Sequence, residues 1–136
     1  MEDGSENVLE SSKRVSISKD NAKGFGYLHS NEASKPTIVH QNISVEKVLL
    51  DNQFNPLIWM LGSLNDIVYL ALKVGAAMGY LAPEYITAGC ITEKSDVFAF
   101  GVIVLQVLSG KTTVGDSIRM TVEFFRFDDF VDTNLK

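Results

Sequence analysis

The segment Thr92–Lys111, which reads TEKSDVFAFGVIVLQVLSGK, constrains the fold more than any other part of the sequence. Thr92 and Ser95 are candidate N-caps, acidic side chains fall in the first turn, and Gly110 follows the last apolar residue as a C-terminal stop. These signals predict a helix with both ends defined. Valine, phenylalanine, isoleucine and leucine surround this helix on nearly all sides, so it has to be buried at the centre of the fold.

The length of the chain sets the scale of the domain around this helix. With 136 residues, of which 46% are hydrophobic, the chain is long enough for one domain with a real core. Its longest apolar run, Val97–Leu108, is too short to span a bilayer and is interpreted as a core helix. We expect it to be the most buried helix, so that an aspartate at Val104 or Leu105 would abolish soluble expression.

Another helix is predicted within Val8–Ser30, although its apolar pattern is imperfect. The residues that fall roughly on one stripe are Val15, Ala22, Phe25 and Leu28 or His29. Ser18 and Asn21 interrupt this stripe with polar groups. The polar residues 1–7 are expected to be frayed, which leaves residues 8–136 as the domain.

Short apolar runs in the middle of the chain predict small strands. They lie at Ile38–Val39, Val48–Leu50 and Leu57–Ile58. Asp51–Asn52, between the second and third runs, has the residue types of a tight turn. We therefore expect a small β-hairpin beside a loop.

The charge and cysteine content exclude several classes of function. The chain has 12 basic and 17 acidic residues, a net charge of −5, whereas a nucleic-acid binder needs a basic face. One cysteine and two histidines show no pattern of a metal-binding site. A single cysteine is typical of a protein in a reducing compartment. The N-terminus MEDGSENVLE has neither the basic nor the apolar region of a secretory signal.

Three stretches, in this order, resemble the C-terminal lobe of a eukaryotic protein kinase, with the nearest likeness to plant leucine-rich-repeat receptor-like kinases. They are YLHSNEASKPTIVHQNISVEKVLLD, GYLAPEY at Gly79–Tyr85, and KSDVFAFGVIVLQVLSGK. The resemblance implies a mainly α fold, a kinase-like C-terminal lobe with a small β-hairpin around a degenerate catalytic loop. It also implies a cytoplasmic domain, because family members carry this domain on the cytoplasmic side of a membrane.

The loop that resembles the family's H-R-D-L-K-x-x-N motif begins at His40 and lacks the chemical residues of a kinase. Asn42 stands in place of the aspartate that orients the substrate hydroxyl and accepts its proton. An amide has no useful proton affinity. Ser44 replaces the lysine that contacts phosphate, and Lys47 replaces the asparagine that holds magnesium. A cation at that position has the wrong sign for binding another cation.

The counterpart of the family's D-F-G segment is also altered. Met60-Leu61-Gly62 occupies its place, so Met60 offers a soft thioether where magnesium requires a hard oxygen. Glycine is retained at Gly62. The resemblance therefore implies neither catalysis nor binding of ATP or magnesium, and no cofactor is expected.

The other half of a kinase is not recognisable in the sequence. There is no G-x-G-x-x-G-x-V loop and no V-A-I-K lysine, the parts with which the family's N-terminal lobe holds ATP. We therefore expect a C-terminal lobe portion with no N-terminal lobe.

Two residues match scaffold positions of the family. Asp96 corresponds to the anchor that supports the catalytic-loop backbone from the central helix. Glu84, in the A-P-E motif, corresponds to a carboxylate whose arginine partner would lie beyond Lys136. Glu84 is therefore expected to stay solvated, to protonate, or to pair with Lys94 or Arg119.

Three hypotheses of function follow. The leading one is a catalytically inactive receptor-like kinase fragment that acts as an interaction or regulatory module, binding intact receptor-like kinases or other proteins. The second is a degenerate gene product without selected function, since Ser11, Ser18 and Asn21 stand where the family is usually apolar. The third is a serine/threonine kinase whose ATP binding is supplied by a missing lobe; the residues of the catalytic loop oppose it.

Overall fold

The structure is a computed structural model that describes residues 8–58, 78–111 and 132. The regular elements are helix α1 (Ser11–His29), strands β1 (Val48–Leu50) and β2 (Pro56–Ile58), and helices α2 (Pro83–Ala88) and α3 (Glu93–Ser109). Two single 3-10 turns lie at Val45–Lys47 and Met78–Tyr80. A mainly helical fold with a small two-stranded antiparallel sheet confirms the predicted fold class. The expectations for residues 1–7, Met60 and Gly62 lie outside the described residues.

Helix α3 begins and ends where the local sequence predicts. The Thr92 hydroxyl accepts a hydrogen bond from the backbone N–H of Lys94 at 3.2 Å, and the Ser95 hydroxyl accepts one from Thr92 N–H at 3.2 Å. This reciprocal capping satisfies N–H groups that have no partner within the helix. At the other end, Gly110 adopts the left-handed conformation with φ +68°, which glycine reaches without steric penalty.

The expectation that α3 is buried on all sides is wrong. Its buried positions are Asp96, Ala99, Val102, Ile103, Gln106 and Ser109, which recur every three or four residues. Val104 and Leu105 are only half-buried, and Val97 is 52% exposed. One stripe of the helix is therefore buried, because a side chain is covered only where another element packs against the helix, however apolar the remaining faces are.

The buried face of α1 differs from the predicted stripe. Its buried residues are Arg14, Ile17, Asn21 and Phe25, whereas Val15 and Ala22 are exposed. Asn21, which interrupts the predicted stripe with a polar group, lies on the buried face together with Phe25 of that stripe, and the polar Arg14 lies there too. Helix spacing alone leaves the rotation of a weakly amphipathic helix undetermined.

Arg14 is buried because its guanidinium has several partners. Its Nε donates to the Leu9 carbonyl at 2.9 Å, and Nη1 donates to the Val107 carbonyl at 3.1 Å. Nη1 also forms an ion pair with Asp132 Oδ2 at 2.8 Å. A buried cation with such partners avoids most of the penalty of leaving water. The network joins the start of α1 to the last turn of α3.

Asn21 is a weak point of the core. Its side chain is 2% exposed; its Nδ2 donates to the Ile17 carbonyl, while its Oδ1 has no hydrogen-bond partner. A buried acceptor without a partner loses its hydration without replacement.

Replacing Asn21 with alanine should therefore stabilise the chain. We expect the free energy of unfolding to rise by about 1 kcal/mol, because the orphan oxygen is removed and alanine favours the helix. Thermal unfolding followed by circular dichroism would measure this change. Asn21→Ser, which keeps a polar group at the site, is the matched control and should gain less. A lower melting temperature for Asn21→Ala would contradict the assignment of an orphan acceptor.

The predicted hairpin forms from its second and third apolar runs. β1 and β2 pair antiparallel, with Val48 opposite Ile58 and Leu49 opposite Leu57. Val48 and Ile58 pack towards the core, whereas Leu49 and Leu57 are exposed on the other face. The expected strand at Ile38–Val39 is wrong, since this segment has no regular structure and its amides are not part of the sheet.

The side chain of Asp51 organises the hairpin loop. Its Oδ1 accepts from Gln53 N–H and Asn55 N–H at 2.8 Å, and its Oδ2 accepts from Asn55 Nδ2 at 2.9 Å. The Asn55 side chain, then its backbone N–H, lowers the pKa of Asp51 from its ordinary value of 3.8. Because the folded-state pKa is depressed, these contacts persist above that value and are lost only as the pH falls through the folded-state pKa.

The core lies where α1, α3 and the hairpin meet. Its buried cluster consists of Phe25, Ile43, Ala99 and Ile103. The rings of Phe25 and Phe100 are 5.2 Å apart between centroids and inclined by 52°, a favourable tilted arrangement. Gly24 allows α1 to approach the hairpin, because a Cβ there would lie 2.7 Å from Ile58 Cδ1. No helix in the described part of the chain is both long and apolar enough to cross a bilayer.

Candidate functional site

Asp96 forms the centre of the candidate site. Its side chain is 2% exposed and lies in the first turn of α3. Oδ2 accepts a hydrogen bond from the backbone N–H of His40 at 2.6 Å, and Oδ1 accepts one from Gln41 N–H at 2.9 Å. Gln41 has φ +64°, a conformation that a residue other than glycine rarely adopts. One carboxylate thus holds two successive amides of the loop and the unusual backbone between them.

His29 adds a third contact to Asp96. Its Nε2 lies 3.0 Å from Asp96 Oδ2, and its ring stands 6.4 Å from that of Phe25 between centroids. Because a carboxylate only accepts, Nε2 must carry the proton in this contact. The sequence pattern offered His29 only as an alternative member of an apolar stripe. Nothing in the sequence indicated that His29 contacts Asp96, because the two residues are 67 positions apart.

The loop held by this anchor contains the predicted degenerate positions His40 and Asn42. His40 is buried, and its Nδ1 accepts from the backbone N–H of Asn42 at 3.3 Å. Asn42 is half-buried and follows His40 and Gln41, the two residues whose amides bind Asp96. The amide of Asn42 can donate or accept hydrogen bonds, but it cannot serve as a general base.

Ser44 and Lys47 lie at the beginning and the end of the 3-10 turn that follows. Ser44 is the residue before the turn, and its carbonyl accepts from Lys47 N–H at 3.0 Å. Lys47 is half-buried and immediately precedes β1. Among the described residues, no group of His, Cys, Asp and Glu side chains could hold a metal ion.

Tyr80 connects the loop to α3. Its hydroxyl donates to Gln106 Oε1 at 2.6 Å and accepts from the backbone N–H of Val45 at 3.4 Å. The segment GYLAPEY thus bonds both to the loop and to the buried stripe of α3. The sequence did not indicate this link, because Tyr80, three residues before Pro83, carries no local signal of its distant partners.

Glu84 lies in the first turn of the short helix α2, where Pro83 is favoured because it needs no N–H partner. The Glu84 side chain is exposed. Of the outcomes expected for this carboxylate, the solvated one agrees with its exposure. Arg119, one of the expected partners, lies outside the described residues. Met60 and Gly62 do as well, so their roles stay predictions.

Comparison with known proteins identifies the family to which the chain belongs. Residues 3–125 match the family described as protein tyrosine and serine/threonine kinase. Proline-rich receptor-like protein kinase PERK4 of Arabidopsis thaliana is 39% identical over 117 residues, which cover 83% of this chain and 18% of that protein. Cysteine-rich receptor-like protein kinase 42 of the same plant is 40% identical over 107 residues, which cover 76% of this chain and 16% of that protein.

A solved structure agrees with the fold. The pseudokinase domain of BIR2, an immune regulator of the RLK/Pelle family, is 29% identical with a TM-score of 0.70. The match covers 93% of this chain and 40% of that chain. This chain therefore spans less than half of that domain and 18% or less of the two curated relatives.

The order of motifs, the fold and these matches point to one family. The relatives are named for proline-rich and cysteine-rich groups, so the leucine-rich-repeat subfamily stays a prediction. The chain belongs to the protein tyrosine and serine/threonine kinase family, and it corresponds to part of the kinase domain of plant receptor-like kinases.

Proposed function

We propose that this chain is a catalytically inactive member of the receptor-like kinase group and acts as a protein interaction module. The observation that carries the proposal is the loop anchored on Asp96. The loop keeps its attachment to α3 through the His40 and Gln41 amides, while Asn42 occupies the position of the base. The loop is held on α3 through its backbone, and an amide stands at the position that resembles the base.

The attachment of the loop to α3 depends on backbone N–H groups, whereas catalysis depends on the side chains of the loop. Asp96 binds backbone N–H groups, which every residue except proline provides, so the side chains of the loop can change without releasing it. Catalysis by contrast needs a carboxylate and magnesium ligands aimed at the phosphates. Asn42 and Lys47 remove that chemistry without removing any hydrogen bond to Asp96.

The neighbour's description supports a role in protein contacts. BIR2 is described as a pseudokinase and an immune regulator, so a kinase-like domain can serve regulation. For this chain we propose intact receptor-like kinases or other proteins as partners and the cytoplasmic side of the membrane as its location. Membership of the leucine-rich-repeat subfamily is proposed from the three motif stretches alone.

The first expected result is that Mg-ATP leaves the melting temperature of the chain unchanged. A ligand that binds only the folded state must stabilise it, and ligand at a hundredfold excess over Kd would add about 2.7 kcal/mol. The measurement is a thermal-shift titration with Mg-ATP, beside a radiolabelled phosphate-transfer assay on a basic protein substrate. An intact receptor-like kinase run in parallel provides the positive control. A dose-dependent rise in melting temperature, or phosphate transfer by the chain, would contradict the proposal.

A second candidate, a degenerate gene product without selected function, is favoured by Asn21. A buried acceptor without a partner is the kind of defect that accumulates when stability is not maintained. The discriminating observation is protein abundance in the native tissue, because a chain without function need not accumulate. The remaining alternative, a kinase whose ATP binding is supplied by a separate lobe, predicts stabilisation by Mg-ATP and phosphate transfer only when that lobe is added to the chain.

A further inference from the structure

The turn between α1 and the loop is held by one ammonium group, that of Lys35. Its Nζ donates to the carbonyls of Leu28 at 3.0 Å, Ser30 at 3.1 Å and Pro36 at 3.2 Å. These three acceptors match the three N–H donors that an ammonium carries. Lys35 forms no ion pair with a carboxylate in the described part of the chain. Its side chain therefore binds the backbone of the turn and not an acidic partner.

Lys35 lies where a cap on the C-terminal end of α1 is expected. Helix α1 ends at His29, and the carbonyls of Leu28 and Ser30 stand on either side of that residue. The last carbonyls of a helix lack partners within the helix and carry partial negative charge, so a cation that donates to them is favoured. The Tyr27 ring, whose centroid lies 4.9 Å from Nζ, adds a cation–π contact. Lys35 thus binds the backbone on both sides of His29.

The same turn also holds the start of the loop that Asp96 anchors. The Leu28 carbonyl accepts a second hydrogen bond, from the backbone N–H of Ile38 at 2.9 Å. Ile38 precedes His40 by two residues, and the His40 amide binds Asp96. His29, next to Leu28, is the side chain that contacts Asp96. The Leu28 carbonyl and its two donors therefore join both segments that reach this carboxylate.

The other contacts of the turn are few and local. The Lys35 N–H donates to the Glu32 carbonyl at 2.9 Å, and the Ser30 N–H donates to carbonyls in the last turn of α1. Residues 31–34 are exposed, so no buried apolar side chain holds them. A segment with few buried contacts opens more easily than the core. The ammonium is the group that joins the two ends of this turn, because it donates to carbonyls before and after the exposed residues.

We infer that Lys35 is a latch, whose ammonium closes the turn of residues 28–38 and so holds His29 and the His40 amide against Asp96. While the latch is closed, the loop that contains Asn42 is fixed on α3. When the ammonium is removed, the turn opens locally and the loop loosens, while the core stays folded. This conformational device does not depend on the proposed interaction role or on catalytic inactivity.

The test compares the full chain with its Lys35→Met variant by NMR relaxation. Methionine keeps an unbranched side chain of similar length but has neither the charge nor the N–H donors. In the parent, the backbone order parameters of Ser30 and Ile38 should be about 0.85, the value of rigid backbone. In the variant they should fall below about 0.6, while that of Ile103 in the core stays at the rigid value.

The His29 ring reports whether the turn and the anchor are coupled. The Nε2–H bound to Asp96 should give a proton signal in the parent, and Lys35→Met should abolish it. In urea denaturation, His29→Ala should lower the midpoint at least about twice as much in the parent as in the Lys35→Met background, because the contact is already broken there. Lys23→Met removes an exposed lysine of α1 that is paired with Asp20. This matched control should leave the effect of His29→Ala unchanged.

Several results would overturn the latch. A parent-like His29 signal in Lys35→Met, or equal effects of His29→Ala in both backgrounds, would show that the turn and the anchor are independent. Loss of the helical circular dichroism spectrum in Lys35→Met would also overturn it, because a latch opens without unfolding the core. Lys35→Arg keeps the charge but spreads its donors over a planar fork, so the order of the turn should be intermediate. Parent-like order in Lys35→Arg would exclude three donors on one nitrogen as the basis of the latch.

Discussion

Replacing Asp96 with alanine should lower the free energy of unfolding by about 3–5 kcal/mol, the range seen when one partner of a buried charged network is removed. The variant leaves the N–H groups of His40 and Gln41 without their acceptor, and it also removes the contact of His29. Because folded domains are stable by only about 5–15 kcal/mol, a marginal chain would unfold. Urea denaturation followed by circular dichroism measures the difference.

Two variants make the Asp96 experiment specific. Asp96→Asn keeps one acceptor oxygen but turns an NH₂ group towards the remaining backbone donor. The free energy of unfolding should therefore fall by an intermediate to large amount. Glu93→Ala, which changes an exposed carboxylate in the same turn of α3, should alter stability by no more than about 1 kcal/mol. If Asp96→Ala behaves like Glu93→Ala, the loop is not held by this carboxylate.

Ile103→Asp should abolish the folded state altogether. Ile103 is 3% exposed and belongs to the cluster formed with Phe25, Ile43 and Ala99. The change removes an apolar side chain, worth about 1.5–3 kcal/mol of burial, and places an unpaired carboxylate where no water reaches it. The lost burial and the cost of the buried charge together approach or exceed the free energy of unfolding of an ordinary domain. Soluble yield and the circular dichroism spectrum report the outcome.

Val97→Asp provides the matched control on the same helix. Val97 is 52% exposed and is the fifth residue of α3, close to the N-terminal end at which the helix dipole favours negative charge. We expect a change in unfolding free energy within about 1 kcal/mol. Equal damage from Val97→Asp and Ile103→Asp would mean that α3 is buried on all sides, as its composition suggested.

Several features of the fold were predictable because they depend on neighbours in sequence. The Thr92–Ser95 capping and the left-handed Gly110 involve residues within one turn, so the local sequence was enough to define the ends of α3. The hairpin was predictable for the same reason, since its strands are separated only by the loop that Asp51 organises. The order of the kinase-like stretches was likewise visible without a structure.

The candidate site was predictable only in part. Motif likeness identified Asp96 and the positions Asn42 and Lys47, because these lie within recognisable stretches. It did not reveal His29 beside Asp96, nor Tyr80 between Val45 and Gln106. Neither residue has a local pattern that distinguishes it from an ordinary helix end or turn.

The sequence by itself determined where α1, α3 and the hairpin occur, and it predicts which residues replace the chemical groups of a kinase. Only the tertiary structure decided which face of α1 is buried and that Arg14 meets Asp132. The reason is the range of the interactions. Capping and turns join residues within a few positions, whereas Arg14 and Asp132 are 118 positions apart and meet only when the chain has packed. A weakly amphipathic helix such as α1 takes its orientation from such distant partners, because its own pattern favours no single face.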